Sequence, residues 1–150
     1  MSVAPADPGS GNQGGAQAYF DEMVTAATAT LVGDEVLLAN ISGERTDFIR
    51  LNHGDVRQAG SVDQRTLTVD LVEGRKHVGG SIRLSGVRSV DDARLATLIA
   101  QLRDQRRFVP DDPYLLYNTE PTSTERIEQG DIPAPDAALA DIRRAGNGRD

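Results

Sequence analysis

The chain contains no cysteine and no tryptophan, only two histidines and two methionines, and just 4% aromatic residues in 150 positions. The absence of cysteine removes disulfides, thiolate metal sites and cysteine nucleophiles together, and it fits a cytoplasmic protein. No run of about 18 apolar residues occurs, so no segment reads as a membrane-spanning helix. The N-terminus lacks a basic region followed by an apolar one, so no secretory signal is expected. Positive charge is also scarce: 16 Lys and Arg stand against 23 Asp and Glu, for a net charge of −7. Such a balance excludes general affinity for nucleic acid or anionic membranes, because neutralising phosphates needs a basic surface.

What is present is concentrated between residues 46 and 84, TDFIRLNHGDVRQAGSVDQRTLTVDLVEGRKHVGGSIRL. In residues 65–73, Leu67, Val69 and Leu71 alternate with Thr66, Thr68 and Asp70. In residues 77–84, Val78, Ile82 and Leu84 share a face with Gly80, while His77, Ser81 and Arg83 face away. Period-two alternation describes a sheet with one buried and one wet face. The link Glu73-Gly74-Arg75-Lys76 is a hairpin signal, and His53-Gly54 between residues 46–52 and 55–59 is another. A further run, residues 35–42, precedes them, with Ser42-Gly43-Glu44-Arg45 as its turn. Connections this short join antiparallel strands.

Helical periodicity flanks the strands. Phe20, Met23, Val24, Ala27 and Leu31 make one apolar stripe over residues 17–31, ended by Gly33. Leu95, Leu98, Ile99 and Leu102 make a stronger one over residues 90–107, with Ser89 as candidate N-cap, Asp92 as its capping-box partner and Pro110 as the stop. Arg103, Arg106 and Arg107 crowd its last turn and read as a solvated helix end, with phosphate or partner binding as the alternative. The predicted fold is α+β in two layers: an antiparallel meander of about four to five strands packed against two main helices. Residues 1–16 are expected to be a disordered tail, residues 17–117 the domain, and residues 118–150 a linker with a short helix at residues 137–144.

Chemistry is sparse. His53 falls at a hairpin tip and His77 on the wet strand face, and neither has ligand-spaced neighbours. Proximity of a carboxylate such as Asp55 or Asp70 stays open. There is no G-x-S-x-G elbow, no P-loop and no G-x-G-x-x-G. The glycines in His77-Val78-Gly79-Gly80-Ser81 fit a bulge or a close backbone approach within a strand. Asp111-Asp112, between prolines, reads as a turn. Tyr114, Leu115, Leu116 and Tyr117 either cap the core or contact a partner.

Residues 47–54 (DFIRLNHG), Val56-Arg57-Gln58-Ala59-Gly60-Ser61, Gln64-Arg65-Thr66-Leu67, Gly74 and Asp112-Pro113-Tyr114-Leu115-Leu116-Tyr117 resemble, in order and spacing, the N-terminal region of the TldD/PmbA family, described as putative modulators of DNA gyrase. The resemblance is to its TldD-related metallopeptidase branch and runs over residues 36–144. It implies a two-layer α+β N-terminal domain of a much longer cytoplasmic peptidase. Such proteins act on peptides or unfolded proteins, form homo- or hetero-dimers, and carry zinc on an H-E-x-x-x-H motif in a separate C-terminal domain. That motif is absent here, so the resemblance implies a non-catalytic portion, with no cofactor in this chain and zinc in the full-length catalytic member. The chain is then expected to be truncated before the rest of that architecture. Candidate substrate or partner contacts are Asn52, His53, Arg57, Gln58, Tyr114 and Tyr117. The alternative is a freestanding, non-enzymatic module that regulates a partner protein.

Overall fold

The structure, a computed structural model, describes residues 11–53, 55–120, 122–126, 128, 130 and 133–147. The elements run α1 (Gly11–Thr28), β1 (Val36–Asn52), β2 (Asp55–Glu73), β3 (Lys76–Arg83), α2 (Arg88–Arg106) and α3 (Pro135–Asn147). The fold is α+β, with one antiparallel sheet in the order β1-β2-β3.

The sheet has three strands rather than four to five. Ser42-Gly43-Glu44-Arg45 runs extended inside β1, and Gly60-Ser61 lies inside β2. The glycines that suggest breaks are sites of cross-strand packing. A Cβ at Gly60 would lie 2.8 Å from the Phe48 ring, and one at Gly43 would meet the Arg65 stem at 3.5 Å. A missing side chain on one strand thus makes room for a large one on the next, and the backbone stays extended.

By its contacts the chain forms two compact units: Met1–Gly43 with Gln64–Leu115, and Glu44–Asp63 with Leu116–Asp150. In the first, Leu67, Val69 and Leu71 of β2 are essentially inaccessible and pack with Met23 and Ala27 of α1 and Leu95, Ile99 and Leu102 of α2. β2 pairs with β3 from Thr66↔Arg83 to Glu73↔Lys76, so the turn is the two residues Gly74-Arg75. Gly74 has φ +61°, which a glycine adopts without steric cost. Gly80 marks a close approach of α2: a Cβ there would sit 2.8 Å from Leu98 Cδ1.

Helix ends differ from the periodicity. α1 begins at Gly11, inside the segment expected to be disordered; residues 1–10 lie outside the described residues. It ends at Thr28 rather than near Gly33, which sits in the following turn. Thr25 and Thr28 donate their hydroxyls to the Asp21 and Val24 carbonyls within its last two turns. The N-cap of α2 is Val87, not Ser89, and no side chain of the cap residue bonds the helix. The reason is Asp91, whose buried carboxylate reaches back to the amides of Ser85 and Gly86 at 2.9–3.0 Å.

In the second unit, Ser61 donates its hydroxyl to the Asp47 carboxylate across the β1–β2 hairpin. α3 opens with Pro135, whose missing N–H is harmless in the first turn, and carries Asp136 early and Arg144 late, where each suits the helix dipole. No described helix is long and apolar enough to cross a membrane.

Candidate functional site

The end of the β1–β2 hairpin gathers four of the six sequence candidates. Asn52 closes β1, His53 sits in the turn, Arg57 and Gln58 lie near the start of β2, and all four are exposed. His53 itself takes a positive φ of 49°; Gly54, expected to supply that conformation, lies outside the described residues. Gln58 accepts a bond from Arg50 Nη1 at 3.4 Å across the hairpin. Tyr117 belongs to the same unit and is half-buried, whereas Tyr114 belongs to the other unit and is 87% exposed. Tyr114 therefore does not cap the core, and neither does Leu116, at 93% exposure. Both follow a segment whose backbone is committed elsewhere: Asp112 donates its N–H to the Arg75 carbonyl at 2.8 Å, and its Oδ1 accepts the Tyr114 amide at 2.8 Å.

That segment brings three titratable side chains together. His77 Nδ1 lies 3.0 Å from Asp70 Oδ2, and His77 Nε2 lies 3.4 Å from Asp112 Oδ2. Asp70 is within reach because the tight turn pairs it with Gly79, two residues beyond His77, on the sheet face opposite the core. The hydrogen bond and charge of Asp70, with a smaller contribution from Asp112, raise the His77 pKa above 6.5. His77 is thus a partnered histidine, not a free surface one, and the carboxylate left open by the sequence is Asp70. Asp112, 35 positions further along the chain, gives no local signal of this contact.

The arginine cluster at the end of α2 is not a solvated helix end. Arg103 grips the buried Glu35 carboxylate through Nε and Nη2 at 2.8–3.0 Å. Arg106, itself buried, bridges Glu35 at 3.0 Å and Glu73 at 2.7 Å. The Arg103 hydrogen bonds outweigh burial and, with the Val32 amide and Arg106, hold the Glu35 carboxyl at about 2 against an ordinary 4.5. Both arginines are committed to internal carboxylates, which removes them as a phosphate site; only Arg107 of the three is exposed. The feature that the sequence hides is Glu35, an acidic residue entering a strand whose partners lie 68 and 71 positions away.

An open groove of about 630 Å³ runs between β3 and α2, lined among others by Ile82, Leu98, Ser81, Arg94 and Gln101. It holds no cluster of nucleophile, base and orienting group. Among the described residues, no group of His, Cys, Asp and Glu side chains is arranged to hold a metal ion. What the described residues offer instead is backbone. β1, 17 residues long, is an outer strand of the sheet, and no described strand pairs with its far side. In comparisons with known proteins, no family model and no curated protein matches the chain.

Proposed function

We propose that this chain is the non-catalytic N-terminal portion of a cytoplasmic TldD/PmbA-like zinc metallopeptidase, where it shapes the substrate cleft and contributes to dimerisation. The observation that carries this reading is that, among the described residues, no strand pairs with the far side of β1. A free edge presents a row of N–H and C=O groups that an extended peptide can complete. Strand addition reads main chain first and side chains second, which suits a peptidase acting on unfolded polypeptides of varied sequence. Asn52, His53, Arg57 and Gln58 at the end of the same hairpin, together with Tyr114 and Tyr117, are the side chains proposed to contact substrate or partner.

Zinc does not fit the residues described. Both ring nitrogens of His77 are directed at carboxylates, and no ligating set surrounds His53. In this reading, metal and general base belong to the remainder of such a peptidase, and no catalytic step is assigned to this chain. The alternative, a freestanding module regulating a partner protein, draws on the exposure of Phe108 (86%) and Tyr114 (87%). A contiguous apolar patch left in water marks a contact surface, and these two rings are what such a patch would be built on.

Sequencing the transcript beyond the codon for Asp150 separates the two. A frame that continues and encodes H-E-x-x-x-H supports the peptidase reading. A stop codon directly after Asp150 contradicts it for this polypeptide and leaves the regulatory module, for which a pull-down of a full-length partner is the next step.

A further inference from the structure

The Asp70–His77–Asp112 cluster joins two pieces of chain that nothing in the local sequence connects: the β2–β3 hairpin and residues 110–115. We propose that His77 is a proton-operated clasp, which in its doubly protonated form bridges Asp70 and Asp112 and holds residues 110–115 on the sheet, and which on deprotonation releases that hold on the segment carrying Tyr114.

The argument rests on donor counting. A carboxylate only accepts, so each ring nitrogen needs a hydrogen to face one. The imidazolium has two N–H groups, one for Asp70 Oδ2 at 3.0 Å and one for Asp112 Oδ2 at 3.4 Å. Neutral imidazole has a single N–H, so one nitrogen lone pair must then face a carboxylate lone pair. The closer partner, Asp70, keeps the hydrogen, and the bridge to Asp112 is the one that breaks. Asp70 adds to the bias: its Oδ1 is buried with no hydrogen-bond partner, and His77 is the one cation shown against it among the described residues.

The charged groups shown against the imidazole among the described residues are Asp70 from β2 and Asp112 from the segment, and Arg75 from the turn anchors the segment beside them. The Arg75 guanidinium donates to the Pro113 carbonyl at 2.6 Å, and its own carbonyl accepts the Asp112 amide. Both bonds belong to the closed arrangement and weaken once the Asp112 side chain is released, so the Asp112 amide reports the state of the clasp. α1 and α2 pack on the opposite face of the sheet, with Leu67, Val69 and Leu71.

The sign follows from linkage. A histidine whose pKa is raised in the closed state favours that state fully below its open-state pKa and loses the effect as pH rises through the closed-state value. The clasp is therefore closed in mild acid and opens towards alkaline pH. A closed-state pKa standing one above the open-state value corresponds to about a tenfold change in the closed-to-open ratio.

The test is a pH titration of the full chain by NMR between about pH 5.5 and 9, a window that brackets a histidine with a raised pKa. It follows the His77 ring signals and the protection of the Asp112 amide. The expected result is a His77 pKa above 6.5 and a fall in Asp112 protection over the same pH range. The fold-change in protection should match the ratio of closed- to open-state proton affinities that the same titration measures. Asp112→Asn, a loop substitution, lowers the His77 pKa, and His77→Gln abolishes the pH step in protection. A His77 that titrates at or below its ordinary value, or an Asp112 amide whose protection ignores the His77 titration, overturns the proposal.

Discussion

Two buried carboxylates hold most of the polar interior. Asp91, wholly inaccessible, accepts from the Ser85 amide and hydroxyl, the Gly86 amide and the Tyr19 hydroxyl. Burial alone would raise its pKa, yet these donors lower it below 3.8. The same contact, with burial as the largest cause, pushes the Tyr19 phenol up to about 12. Asp91→Ala leaves two backbone amides without their acceptor and is expected to cost about 3 kcal/mol in urea unfolding. Glu35 makes a complementary prediction about pH. Its folded pKa of about 2 lies below the ordinary 4.5, so its contribution is complete above 4.5 and disappears as pH falls towards 2. Thermal melts of the wild type between those limits should therefore fall more steeply than those of Glu35→Gln. At neutral pH the variant should be less stable by about 3 kcal/mol, since it takes from Arg103 its carboxylate partner and leaves Arg106 with Glu73 alone.

The elements show which parts of the fold are legible in the sequence. The β2–β3 hairpin is fully legible: alternation sets the buried face, Gly74 sets the turn, and together they fix the register that puts His77 beside Asp70. The α2 stripe is equally plain, with Leu95, Ile99 and Leu102 all buried. The strand count is not legible, because a glycine inside a strand and a glycine in a turn look alike until the cross-strand neighbour is known; Phe48 over Gly60 is that neighbour. The arginines of α2 mislead for a similar reason. Charge at a helix end suits both solvent and a distant buried acid, and only tertiary contact selects Glu35. Packing gives two predictions at this scale. Leu71→Ala, at a position with no accessible surface, should lower unfolding free energy by about 2–5 kcal/mol. Gly80→Val drives a branched side chain into Leu98, 2.8 Å from the first added carbon. It should cost about 1–3 kcal/mol in the same unfolding assay.

At the scale of the whole molecule, β1 and β3 are the outer strands of the described sheet, and β1 is the longer of the two. Long free edges invite pairing with another chain, so they are either protected or used. With a net charge of −7, the chain is expected to show no salt-dependent affinity for DNA; a gel shift at low ionic strength that retards DNA would contradict the charge argument. The most direct test of the central claim is fluorescence anisotropy of a labelled, permanently unfolded peptide titrated with the chain, alongside the same peptide N-methylated at alternate residues. Strand addition at β1 predicts saturable binding of the unmodified peptide and at least about tenfold weaker binding of the methylated one, the equivalent of removing one or two main-chain hydrogen bonds. Equal binding of the two peptides, or none of either, would contradict it.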